Sequence, residues 1–102
     1  MTVYIASPYT KGDVACNIHR AILTADLLIE MGHTPYVPVL THFWHLVIPH
    51  PWEFWIEYDL KLLPMFDCVL RIPGESEGAD REVAQAKNLG IPVYYSLEEL
   101  NI

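Results

Sequence analysis

Ten consecutive residues, Pro73-Gly74-Glu75-Ser76-Glu77-Gly78-Ala79-Asp80-Arg81-Glu82, hold the densest set of groups able to do chemistry in this chain. They join an apolar run, Cys68-Val69-Leu70-Arg71-Ile72, to an alanine-rich stretch of helical period. Glycines and a serine at a helix start can offer an anion a cradle of backbone N–H groups. Six residues after Ser76, Glu82 would sit just past the first turn of that helix, near whatever the loop binds. Such a cradle with a carboxylate next to it could grip a phosphorylated sugar and attack it. Asp80, in the same loop, would repel a phosphate if its side chain faced inward.

Taken singly, each candidate also has a plainer reading. Glu82 shares a helical stripe with Ala79 and Ala86, which leaves room for a ligand, but it could equally be a solvated carboxylate near a helix N-terminus. Ser76 could be no more than the helix N-cap. Asp59, in Tyr58-Asp59-Leu60-Lys61-Leu62-Leu63, could be a surface charge on an amphipathic helix. Tyr4 alternates with Val3 and Ile5, as a core tyrosine with a satisfied hydroxyl would. His42, His45 and His50 invite a metal reading, and His42 and His45 could share one helical face, but no HExxH or paired Cys/His pattern supplies the third well-placed ligand a zinc site needs, so no metal is expected. Trp44, Trp52 and Trp55, with Phe43 and Phe54, suit a core or an interface, or a stack on a ligand ring. No GxSxG elbow, GxGxxG or GxxxxGK[ST] is present. Serine-type nucleophiles, dinucleotide cofactors and P-loop chemistry are therefore not expected, and no cofactor is assigned.

The elements that must position these groups follow from punctuation and period. Residues 2–6 read as a buried strand stopped by Ser7-Pro8, and Asp13 is a candidate N-cap. Residues 14–31 read as a helix with Ile18, Ile22, Ala25, Leu28 and Ile29 inward and Gly32 closing it. Residues 33–37 form a second strand and lead into a proline-punctuated aromatic segment, 38–51, read as a connecting loop. A helix from Pro51 to Leu63 ends at Pro64. A strand over 67–72 and a helix over 78–89 closed by Gly90 follow. The last elements are a strand over 91–95 and a short helix announced by the capping box Ser96-Leu97-Glu98-Glu99. Alternating strands and helices predict a single α/β domain over 1–102, with a parallel sheet of about four strands in order 2-1-3-4 and helices on both faces. In such sheets ligands bind beyond the carboxyl ends of the strands. Loops 7–12, 38–51 and 73–78 all fall at that edge, and most of the unusual residues lie in them.

Composition narrows the partners. The net charge of −7 opposes a nucleic-acid polymer, whose binding needs Lys and Arg against phosphates. A small phosphorylated ligand needs only a local set of donors. A hydrophobic content of 52% in 102 residues predicts a packed fold with apolar surface left over for a subunit interface. Cys16 and Cys68 read as reduced, buried thiols, there is no signal-peptide pattern, and no apolar run is of membrane-spanning length. The expectation is a cytoplasmic protein that makes no use of a membrane.

Three segments together resemble the nucleoside 2-deoxyribosyltransferase superfamily, which includes the deoxynucleoside 5′-monophosphate N-glycosidases. Tyr4-Ile5-Ala6-Ser7-Pro8 looks like its first strand and ligand-binding turn. Asp59-Leu60, followed by Asp67 at the third strand, looks like its second motif, and Ser76-x-Gly78-x-x-x-Glu82 looks like its serine, glycine and nucleophilic glutamate. The resemblance covers nearly the whole chain and implies a three-layer Rossmann or flavodoxin-like fold. It also implies N-glycosidic cleavage of a nucleoside or nucleoside 5′-monophosphate. In that scheme Glu82 attacks C1′, Asp59 helps protonate the base, and Tyr4 positions the sugar or the carboxylate. Ser76 and Gly78 hold a 5′-phosphate, with Ser7, Thr10 and Lys11 as polar residues of the neighbouring loop. A homodimer or higher homo-oligomer, with residues 38–58 near the interface, is also implied. Two other readings stand beside this one: a nucleotide-binding or sensing module of the same fold, and a structural protein that assembles through its aromatic segment.

Overall fold

A computed structural model describes residues 1–100. Four parallel strands, β1 (Thr2–Ala6), β2 (Thr34–Tyr36), β3 (Cys68–Arg71) and β4 (Val93–Tyr94), form one sheet in the order β2-β1-β3-β4. The expected strand order and α/β class hold, and the architecture is flavodoxin-like. β1 pairs with β2 through Thr2↔Thr34 to Tyr4↔Tyr36, and with β3 through Val3↔Cys68 to Ala6↔Arg71. The strands are shorter than the sequence suggests. Pro92 lacks the N–H a ladder needs, and β4 keeps only two residues.

Alternation along β1 and β3 builds two cores. Val3, Ile5, Cys68, Leu70 and Ile72 face α1 (Val14–Glu30) and Leu100 of the terminal helix α5 (Leu97–Leu100). Tyr4, Ala6 and Val69 face the opposite side, where α4 (Glu77–Asn88) packs through Ala79 and Ala86. Between β2 and β3 the chain forms a 3-10 turn (Pro38–Leu40), α2 (Thr41–Val47), α3 (Trp52–Leu62) and a second 3-10 turn (Leu63–Met65). The segment expected to be a loop thus contains a helix, because Pro38 at the turn's start presets the φ that nucleates it. Pro64 does not stop the chain from coiling after α3, since a 3-10 turn accepts proline in its first positions.

The ends of the helices are set locally. Asp13 caps α1, its side chain accepting from the Cys16 N–H at 3.1 Å. Gly32, at φ +91°, ends it with bonds from Gly32 N to Ile29 O and His33 N to Leu28 O. The same pair of bonds, Gly90 N to Lys87 O and Ile91 N to Ala86 O, closes α4. The buried stripe of α1 is Asn17, Ala21, Ala25 and Leu28, whereas Ile22 and Ile29 are exposed, contrary to expectation. Two alanines on the sheet side let the helix axis approach closely, and that outweighs burying the larger isoleucines. Cys68 is buried but Cys16 is exposed, which corrects the expectation for that thiol. Among the described residues no helix is long and apolar enough to cross a membrane.

Candidate active site

The strand order reverses between β1 and β3, and the loops after these two strands lie side by side at the carboxyl edge. Gly74 packs directly against Pro8: a Cβ there would lie 2.6 Å from Pro8 Cγ, and its φ of +131° disfavours any other residue. Arg71, buried at the end of β3, fastens the second loop from beneath. Its guanidinium donates to the carbonyl of Ile72, to Gly74 O at 2.8 Å and to the Asp80 carboxylate at 3.0 Å. Asp80 is consequently turned outward and does not line the cavity, so the repulsion that its position threatened does not arise. The first loop is held by Asn17, whose amide donates to Tyr9 O at 3.0 Å and to Lys11 O at 2.8 Å.

Between these loops, α2, α3 and α4 enclose a cavity of about 460 Å³. Seven of the eight residues expected at a site line it: Ser7, Thr10, Lys11, Asp59, Ser76, Gly78 and Glu82. Tyr4 does not reach it. Tyr4 is fully buried behind Glu82 and donates its hydroxyl proton to Glu82 Oε2. It therefore holds the carboxyl group, and contact between Tyr4 and a sugar is not part of this geometry.

The plainer readings of both carboxylates fail on burial. Glu82 is 5% exposed and Asp59 6% exposed, so neither is a solvated surface charge. Glu82 is pushed up to about 8, first by burial and then by the nearby Asp59 charge, while the Tyr4 hydrogen bond and Arg71 pull the other way. Asp59 is pushed up to about 7 by burial, opposed by the Tyr36 hydroxyl, which donates to Oδ1 at 3.4 Å. Burial and the two carboxylates raise Tyr4 and Tyr36 well above the usual phenol range, and both stay protonated as donors. Two neutral phenols thus back two carboxyl groups, both raised by burial toward neutrality.

One turn before Glu82, the start of α4 brings to the cavity a set of donors without an acceptor. Ser76 is the N-cap of α4, its Oγ accepting from Ala79 N at 3.1 Å. The N–H groups of Glu77 and Gly78, at the first two helical positions, have no intrahelical partner. Gly78 is where α4 meets α3: a Cβ there would lie 3.0 Å from Ile56 Cδ1. Ser7 Oγ is buried and, among the described residues, is the one buried side-chain oxygen or nitrogen with no hydrogen-bond partner. Such an atom costs about 1–3 kcal/mol until something fills the site. A helix N-terminus and an unpaired hydroxyl together suit an anion.

The remaining wall was only partly legible in the sequence. His42, His45, His50, Trp52 and Trp55 all line the cavity. His42 Nδ1 is hydrogen-bonded to the Tyr9 hydroxyl, and His45 Nδ1 accepts from Trp55 Nε1 at 2.9 Å and from His50 N at 3.1 Å. These atoms are engaged with protein, and no group of three metal-ligating side chains occurs among the described residues. Asn17, Tyr9 and Tyr36 were not singled out from the sequence. Tyr36 carried a usable signal, because β2 pairs Tyr36 with Tyr4 and puts both on the same face. Asn17 carried none, since a polar residue in an apolar stripe does not say which loop it ties.

Comparison with known proteins gives one family and one fold likeness. A family model described as "Domain of unknown function (DUF7768)" matches residues 1–96. No curated protein matches the chain significantly. Among solved structures, a 2-deoxyribosyltransferase from the psychrotolerant bacterium Bacillus psychrosaccharolyticus is similar, with a TM-score of 0.66 and 21% identity, over 91% of this chain and 69% of that one. At that identity the likeness is one of fold.

Proposed function

The chain belongs to the DUF7768 domain family, and we propose that its cavity cleaves the N-glycosidic bond of a (deoxy)nucleoside 5′-monophosphate. The carrying observation is that two buried carboxyl groups, Glu82 and Asp59, line a cavity that also holds unpaired donors. Similarity of fold to a 2-deoxyribosyltransferase supports the same reading.

In the first step a Glu82 carboxylate oxygen forms a bond to C1′ while the bond from C1′ to the base nitrogen breaks. The electron pair leaves with the base, which takes the proton of Asp59. The transition state is oxocarbenium-like, and a buried carboxylate next to C1′ stabilises that charge. Tyr4 keeps Glu82 in place and favours its ionised form. In the second step a water adds at C1′, gives a proton to the Asp59 carboxylate and releases Glu82, yielding free base and sugar phosphate. A second base in place of water makes the reaction a transfer. Ser7, Ser76 and the N–H groups of Glu77 and Gly78 hold the 5′-phosphate, and Lys11 and Thr10 close over it from the first loop. General acid help of this kind contributes about 10²–10⁴ in rate. The test is base release from a panel of deoxynucleoside 5′-monophosphates by the wild type and by Glu82→Ala. Release that survives the substitution would remove Glu82 from the mechanism.

The chain also assembles with copies of itself in this reading. On and just after α2, Leu46 and Val47 are 64% and 79% exposed, with Phe43 and Ile48 exposed beside them. A contiguous apolar surface on so small a domain is suited to a subunit interface.

A further inference from the structure

We propose that His45 is the group that reads the base, donating its Nε2–H to a carbonyl oxygen, so that the site selects an oxo base over its amino counterpart. This rests on the nucleotide-cleaving reading of the same cavity and adds to it the class of base.

The argument starts from the two partners of Nδ1. Both the Trp55 indole nitrogen and the His50 backbone nitrogen are obligate donors, at 2.9 and 3.1 Å. A ring nitrogen receiving two N–H groups carries no proton of its own, so the proton of the neutral ring sits on Nε2. The tautomer follows from the chain itself and requires no ligand. Nε2 has no partner among the described residues, and His45 lines the cavity. It presents one fixed donor and no free acceptor.

Trp52, on the same wall, has the same polarity. The Trp52 indole can only donate and has no partner among the described residues. The Thr41 hydroxyl proton goes to Pro38 O at 2.8 Å, and His42 Nδ1 is taken by Tyr9. An exocyclic amino group placed against His45 Nε2 and the Trp52 indole nitrogen would set donor against donor. A carbonyl oxygen would be satisfied, and the same bond strengthens as negative charge builds on the departing base. Trp55 and His50, which make the wall, also fix the reader: His50 stacks on Phe54 with centroids 3.9 Å apart, so the backbone that donates to His45 is itself anchored.

The experiment compares 2′-deoxyinosine and 2′-deoxyadenosine 5′-monophosphates, which differ by oxo against amino at the same ring position. Wild type should favour the oxo substrate in kcat/KM by about 10-fold or more, the scale of one satisfied against one opposed buried hydrogen bond. His45→Asn keeps an acceptor near the Nδ1 position and removes the Nε2 donor, and it should bring the ratio to within about 3-fold. His45→Gln restores a donor at comparable reach and should recover part of the preference. Unchanged urea midpoints separate this from misfolding. In ¹⁵N spectra of histidine-labelled protein, Nδ1 should be unprotonated and Nε2 protonated, with Nε2 shifting on addition of the oxo nucleotide. If the wild type releases neither base, the cleavage reading fails. The inference is then read by calorimetric titration of the same two nucleotides, where the oxo ligand should bind more tightly to wild type and not to His45→Asn. Equal preference in wild type and His45→Asn, in whichever of the two assays responds, overturns the proposal, as does a protonated Nδ1 or binding of neither nucleotide.

Discussion

Replacing Glu82 by glutamine should shift the balance of stability progressively toward the variant as the pH rises. The glutamate carboxyl moves from an ordinary 4.5 to about 8 in the folded chain. Because the folded-state value is raised, the native state holds a proton that the unfolded chain has lost between these two values. Stability therefore falls as pH climbs through that window and levels off above about 8. At about 1.36 kcal/mol for each tenfold, ionised Glu82 costs the fold roughly 4–5 kcal/mol at pH 9 and under about 1 kcal/mol at pH 5. Glutamine keeps an acceptor for the Tyr4 hydroxyl but adds a buried amide, a penalty of about 1–3 kcal/mol that does not change with pH. The informative quantity is thus the difference between two pH values, about 4 kcal/mol in favour of Glu82→Gln on going from pH 5 to pH 9. For a chain of this size that corresponds to a relative midpoint shift on the order of 2 M urea. Urea unfolding of both proteins at pH 5, 7 and 9 supplies the measurement. A stability difference that stays flat across this range would refute the claim that burial holds a proton on Glu82.

Four further outcomes follow from the same geometry. Since cleavage needs one proton on the Glu82–Asp59 pair, kcat/KM should be bell-shaped with its maximum between about pH 7 and 8, falling on the acid side as the pair takes up a second proton and on the alkaline side as it loses its last; a plateau from pH 5 to 9 contradicts the pairing. Tyr4→Phe should lower kcat by about 10–100-fold with KM little changed, because Tyr4 itself lies behind Glu82 and outside ligand reach, and the alkaline limb should move to higher pH as Glu82 loses the bond that favours its ionised form; steady-state kinetics would show a KM effect instead if Tyr4 touched substrate. Gly74→Ala should destabilise by about 1–3 kcal/mol from its φ and the contact with Pro8, measured as a urea midpoint; an unchanged midpoint means the two loops part without cost. Leu46→Glu with Val47→Glu should yield a monomer by light scattering, and a wild type that is already monomeric at high concentration removes the proposed interface.

How much of this was readable in advance depended on the range of the interaction. Local chemistry marked the caps correctly: Asp13, Ser76, Gly32 and Gly90 act through bonds to residues a few positions away. Alternation and helical period gave the order of elements, and the sheet-edge rule then brought Ser7, Asp59, Ser76 and Glu82 to one cavity. What stayed hidden needed side chains distant in sequence. The outward turn of Asp80 depends on Arg71, and the retreat of Tyr4 behind Glu82 depends on β1 passing beneath α4. The helix hidden within 38–51 was obscured by prolines that punctuate its flanks, although Pro38 in fact begins the turn that leads into it. The histidines looked like a weak metal motif because composition shows ring nitrogens and not the Trp55 and Tyr9 groups already bonded to them.

The most direct test of the account is to look for sugar on Glu82. Wild-type protein turning over a deoxynucleoside 5′-monophosphate should be quenched in acid, digested and mapped by mass spectrometry. The account predicts a deoxyribose-phosphate adduct on the peptide spanning α4, localised to Glu82, absent from Glu82→Gln and accompanied by free base. Base release with no adduct on Glu82, or an adduct on a different residue, would contradict it.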